Sequence, residues 1–345
     1  MNRKFIMSIA AIGLLSSCMN GPSAKQGVVQ GAEQKGGFMG LSKNEAVMVT
    51  TPKAFTGIDQ VVIGGFTVGF ATYKTDSVKA GGGLMGSGFG GKSTAKSTLT
   101  GVDSATMQKI TDALYADFVK NLQSGGYNVV DRSKLLAHSE FAKTNVTKAP
   151  YEDSTGGLFG KGSVTKFHVP SGFNGLRSFM DVPGLTGGFG FSNPALGAAD
   201  YATKTGVKVL SVVYVLDFAN AESYGGWHTM SSSVQVGQGL TIVPNTSKIS
   251  LIGGQSGTFS NNSGAIAVGQ PITSMKEYAS VADSTTGTAK GVEIATNVIG
   301  ALGGIGTNST RTYTFVARAG DYSNAAIDAG KNATNVLVAK MKALK

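Results

Sequence analysis

Apolar residues recur along the chain with two different periods, and the switches between them predict the order of elements. In 60–73 (QVVIGGFTVGFATY), Val61, Val62 and Ile63 are apolar on both faces, as in a central strand. Phe66, Val68 and Phe70 then alternate with Thr67, Gly69 and Ala71. Over 105–123 the period lengthens: Met107, Ile110, Leu114, Phe118 and Leu122 recur every three or four residues, which predicts a helix. Asp103 or Ser104 caps its start, and Gly125 and Gly126 stop it. A short strand over 127–130 leads to a second helix from Ser133 through Phe141. Asn193 before Pro194 reads as an N-cap followed by proline at the first helical position. The run 207–218 (VKVLSVVYVLDF) is the strongest strand, apolar on both faces and therefore central. Further strands are expected at 229–243, 248–252, 263–268 and 311–318. Ile294, Val298 and Leu302 share one face of a predicted helix over 290–302, and Ile327, Leu337 and Met341 mark a last helix over 323–343.

Between these elements the pattern lapses. Residues 79–101 and 142–192 are rich in Gly, Ser and Thr and are expected to be loop insertions. The fragments GGGLMGSGFGG, TGGLFGKG and TGGFGFS echo one another at uneven spacing, which is shared low complexity and no solenoid repeat. The expected fold is therefore α+β with an α/β core. A mixed β-sheet is packed by helices over 105–123 and 323–343, with a β-rich part over 207–270, all in one domain spanning 46–345.

Composition sharpens this reading. The chain of 345 residues has 50 glycines, but its 41% apolar content is ordinary, which argues against disorder. A single cysteine excludes a disulfide framework and any zinc site built on several thiolates. That cysteine, Cys18, closes a leader in which Arg3 and Lys4 precede an eleven-residue apolar run from Phe5 to Leu15. The run is too short to span a bilayer, which takes about 20 residues. The leader reads as a signal peptide over 1–17, and 18–45 as the start of the mature chain with a polar, Gly-rich tether.

The net charge of +10 stays strongly positive without Arg3 and Lys4. The last fifteen residues hold four lysines (Lys331, Lys340, Lys342, Lys345) and no acid, and those in the last turn of the predicted helix fit its dipole. The remaining lysines are mixed with acids and lack interleaved aromatics, so no nucleic-acid partner is expected.

Candidate chemistry is sparse. Residues 86–93 (GSGFGGKS) satisfy the phosphate-loop pattern ending in Lys92 and Ser93. Neither an apolar strand before them nor a helical stripe after them is present, so we read a Gly/Ser loop and expect no nucleotide. His138, His168 and His228 are far apart, and no nucleophile elbow, zinc helix or carboxylate pair is recognisable. Asp217 reads as a strand-end turn residue and Trp227 as a hairpin packing residue. No catalytic, metal or cofactor site is expected, and the chain is not expected to be an enzyme.

Two resemblances complete the picture. Leu15-Ser16-Ser17-Cys18 resembles a bacterial lipobox. This implies cleavage ahead of Cys18, acylation of its thiol and membrane attachment through two or three acyl chains. Met19 in place of Asp at the next position implies delivery to the outer membrane. Gly125 to Arg132 (GGYNVVDR), Gly197 to Tyr201 (GAADY) and a final helix from Ser323 to Ala343 resemble, in order and form, the domain shared by the curli-secretion lipoprotein CsgG and the TolB N-terminal domain. That resemblance implies an α/β core in which Asp131 and Arg132 support the fold. The expected function is binding or assembly at the outer membrane, with envelope proteins or further copies of the chain as partners; the alternative is a subunit of an oligomeric CsgG-like secretion pore. Residues 66–100 and 155–192 lack the clean ten-residue alternation of membrane strands.

Overall fold

The computed structural model describes residues 45–79, 92–156, 158–160, 162–188, 192–224, 231–254, 262–285, 298–305 and 309–345. Their elements are, in order, β1 (Val47–Thr50), β2 (Gln60–Lys79), β3 (Lys92–Thr100), α1 (Ser104–Ser124), β4 (Asn128–Val130), α2 (Arg132–Leu136), α3 (Ser139–Ala142), β5 (Tyr151–Asp153), β6 (Val164–His168), α4 (Pro194–Thr205), β7 (Lys208–Tyr224), β8 (Ser231–Ile242), β9 (Lys248–Ile252), β10 (Gly264–Val268), β11 (Ile272–Ser274), β12 (Ala279–Asp283), β13 (Val298–Ile305), β14 (Ser309–Ala317) and α5 (Ala319–Ala343). The fold is α+β, built on one mixed sheet whose main path runs β1-β10-β9-β7-β2-β3-β14-β12.

The two longest strands, β2 and β7, lie parallel at the centre and each changes partner along its length. One edge of β2 carries β4 at 60–62, β6 at 68–73 and β3 at 73–79. One edge of β7 carries β9 at 209–213 and then β8 at 216–224. The register between β2 and β7 shifts by one residue between Ile63 and Gly65. This bulge places Val61 and Ile63 in the same core as Phe66, Val68 and Phe70, which a regular strand would send to the opposite face.

That core is closed by α1 and α5. The predicted stripe of α1 is buried in full, Asp103 accepts a hydrogen bond from the Thr106 amide at 2.7 Å as its cap, and Gly125 ends the helix. The two helices approach closely because Gly330 has no side chain; a Cβ there would lie 2.4 Å from Leu114. Tyr214 of β7 reaches Thr334 of α5 at 3.0 Å. The opposite face, led by Val62 and Val209, is covered by Leu135, Phe141 and Phe179 together with Ala198, Ala199 and Tyr201 of α4. Here Gly197 allows α4 to meet α3, since a Cβ would fall 2.9 Å from the Glu140 carbonyl. Gly197 to Tyr201 thus lies inside a helix, capped by Asn193, and forms no turn.

Three expectations are corrected. Residues 79–101 are no loop throughout, because Lys92–Thr100 is a strand between β2 and β14. Its Ser and Thr positions are polar by pattern, but Ser93 and Ser97 are buried and threonine favours extended backbone. The predicted helix over 290–302 fails at 298–305, where the chain pairs with β8. Within the expected span Gly300 would cost a helix about 1 kcal/mol. Part of that expectation, 290–297, lies outside the described residues. The single helix over 133–141 is two short ones, α2 and α3, separated at His138. Residues 142–192 add β5 and β6 to otherwise irregular chain, and the β-rich part runs past 270 through β14. No described helix is long and apolar enough to cross a membrane.

Candidate functional site

The sequence motif ending in Lys92 and Ser93 has the wrong setting for phosphate binding. Both residues open a strand, with Ser93 buried and Lys92 exposed, whereas a phosphate loop places them at a helix start. Cys18, Trp227 and His228, and the rest of that motif over 86–91, lie outside the described residues.

The other two histidines are held apart by different partners. His138 Nε2 is 2.7 Å from Asp200 Oδ2, which also accepts from Lys204 at 2.8 Å. Those two hydrogen bonds hold the Asp200 carboxyl below the usual range. His168 is buried on β6 and meets Gln108 of α1 at 3.4 Å. Burial, reinforced by Lys166, pushes its pKa down to about 4, so the ring is neutral near pH 7. Among the described residues no three potential ligands gather to hold a metal ion. Asp131 caps α2 by accepting from the Ser133 amide at 2.7 Å, and Arg132 donates to the Gly64 carbonyl at 3.3 Å, so both support the fold locally.

Asp217 is the residue whose position differs most from expectation. The strand does not end there; it runs on to Tyr224, and Asp217 sits at a one-residue register shift between β7 and β8. Its carboxylate is 2.7 Å from the buried Lys74 ammonium of β2, and its other oxygen accepts from the Ala219 amide at 3.0 Å. Lys74 also donates to the Ala219 carbonyl at 2.5 Å and lies 5.5 Å from the Phe159 ring centroid. Asp76 completes the group at 3.4 Å from Lys74, an ion-pair distance without hydrogen-bond alignment.

Burial works against the Lys74 ammonium, but the charges of Asp217 and Asp76 outweigh it and hold its pKa above the ordinary lysine value. Burial and the charge of Asp217 raise Asp76 despite the pull of Lys74. A raised acid contributes stability below its unfolded pKa and loses it as pH rises through the folded value. Near pH 7 the Asp76 charge is therefore a net cost. Asp76→Asn is expected to raise Tm at pH 7, with the gain disappearing below about pH 4; thermal melts at the two pH values check this.

The cluster marks a level in the fold. β3 and β14 end near it, and α1 and α5 start there and run back toward the beginning of β2, where Lys345 is 2.8 Å from Asp59. Beyond that level β2 and β7 continue with β3, β8, β13 and β14. By their pairing directions, β2, β7 and β13 all point the same way. Their described lengths, up to residues 79, 224 and 305, consequently all run past that level on one side.

This geometry offers a scaffold with extended strands and no assembled catalytic group among the described residues. Comparison with protein-family models, with curated proteins and with solved structures finds no match.

Proposed function

We propose that the chain is a non-enzymatic, lipid-anchored protein of the bacterial outer membrane, attached through acyl chains on Cys18, with a binding or assembly role in the envelope. The observation that carries the assembly role is the common direction of the three strand ends past the helical layers. Among the described residues this projection begins where the β2–β7 ladder stops, at Phe70 and Leu216, and free strand edges recruit further strands from partners or from other copies. It stands opposite the helix ends gathered around Asp59 and Lys345.

The same direction of the strand ends favours a second reading, a subunit of an oligomeric secretion pore.

Cross-linking in native envelopes, followed by detergent extraction and planar-bilayer recording, separates these readings. The proposed role predicts cross-linked complexes without conductance. Stepwise conductance replaces it with the pore, and an uncross-linked monomer removes both.

A further inference from the structure

The backbone ladder between β2 and β7 stops at Phe70 and Leu216, and just past it Lys74 reaches across from one strand to the other. Lys74 and Asp76, two positions apart, share a face of β2. Asp217, at the register shift of β7, meets them there. Its Oδ2 is 2.7 Å from Lys74 Nζ, and Asp76 Oδ2 is 3.4 Å from the same nitrogen. Lys74 is 3% and Asp217 8% exposed, which keeps bulk water away from the pair. The neighbouring Phe218 packs on Phe315 at 5.2 Å, and the Phe159 centroid lies 5.5 Å from Nζ.

These atoms are placed for more than attraction. A nitrogen at hydrogen-bond distance from a carboxylate oxygen lies about 3–3.5 Å from the carboxyl carbon, the separation of a near-attack arrangement. Asp217 Oδ1 accepts from the Ala219 amide at 3.0 Å, so a donor already stands where negative charge would develop on attack. The Ala219 carbonyl accepts from Nζ at 2.5 Å and would serve an amide N–H equally well. Asp76 Oδ2 is buried beside the nitrogen without an aligned hydrogen bond. Burial raises its pKa, which suits a group that takes a proton and gives it back.

We propose that Lys74 and Asp217 condense to an isopeptide bond that fastens β2 to β7 covalently, with Asp76 as proton carrier. One proton passes from the Nζ ammonium to Asp217 Oδ2, leaving an amine and a carboxylic acid. The Nζ lone pair forms the bond to Cγ, and the carbonyl electron pair moves onto Oδ1 beside the Ala219 amide. Asp76 takes a second proton from Nζ and delivers it to the Oδ2 hydroxyl. That oxygen leaves as water while the Oδ1 electrons restore the carbonyl. The sum is ammonium plus carboxylate giving amide plus water, with Asp76 returned to its starting state and no outside reagent. The two acids hold the Lys74 pKa up and keep the free amine scarce, so the reaction is slow, but each chain needs only one turnover. Burial supplies the drive, because two charges that are costly away from water become one neutral amide. Until it reacts, the cluster is the ion pair described above.

Tryptic digestion of the purified full chain, read by mass spectrometry, tests the bond. The expected result is no cleavage after Lys74 and a branched species joining 54–79 to 209–248, one water lighter than the two peptides together. Lys74→Arg keeps the charge but its guanidinium does not deprotonate, so 209–248 should appear there unbranched. A branched species in that variant would place the bond elsewhere and overturn the assignment. In pulse-labelled protein Asp76→Asn should form the bond at least about tenfold more slowly. Its end state is the same cross-link without the buried Asp76 charge. An equal rate overturns the role of Asp76, and a parent chain that yields 209–248 only in unbranched form overturns the cross-link.

Discussion

Replacing Lys74 by methionine is expected to destabilise the protein by about 3–5 kcal/mol, the usual cost of breaking a buried ion pair from one side. Methionine fills much of the lysine volume, so the loss arises from charge and not from a cavity. Asp217 would keep its bond to the Ala219 amide but lose its ion pair with Lys74, the only one it makes among the described residues, and the Ala219 carbonyl would lose a donor. Chemical denaturation should show the loss as a lower midpoint, and thermal melting as a fall in Tm on the order of 10 °C. The double variant Lys74→Met/Asp217→Asn should recover part of it, because Asp217 no longer leaves a buried charge without a partner, and Lys74→Met/Asp76→Asn/Asp217→Asn should recover more, because Asp76 then goes as well. If Lys74→Met melts within a degree of the parent, the cluster does not hold the β7–β8 junction together.

The largest cellular effect is expected from Cys18→Ala. Acyl chains contribute about 0.8 kcal/mol per buried methylene, so under the proposed anchor two or three chains give stable attachment, and a chain without its thiol would have none of this. Fractionation should move the protein wholly from the membrane to the soluble fraction, and the leader should remain uncleaved at that position. Because Cys18 precedes the first described strand by 29 residues, the melting temperature of the folded part should not change. Unaltered membrane association in this variant overturns the anchor.

Sequence periodicity was a good guide wherever one face of an element meets the core. The stripe of α1, the cap at Asn193 and the two-sided burial of β7 all follow from it. It failed where partners override local preference. Lys92–Thr100 has only Ala95 and Leu99 as buried apolar residues, and its extended state depends on β2 and β14 on either side. At 290–302 the spacing of Ile294, Val298 and Leu302 fits a helix, but over 298–305 the glycines and the edge of β8 decide for a strand. The bulge at Gly64 explains why 60–73 reads as two patterns: a Cβ on Gly64 would come within 2.6 Å of Val209, so the shift depends on glycine.

The polar groups were hardest to read. Lys74 and Asp217 are 143 positions apart, and the strand expected over 60–73 stops one residue short of Lys74.

The order of the sheet has a consequence for how the molecule comes into being. β3 lies between β2 and β14, β1 pairs with β10, and α1 packs on α5, so early segments wait for late ones. A chain emerging N-terminus first has no stable intermediate in which β3 is covered on both edges until residue 317 has appeared. Contacts this distant in sequence form slowly. Folding of the sheet therefore awaits its last strands, and until they appear the unfinished chain keeps apolar strand faces and edges exposed to any holding chaperone it meets.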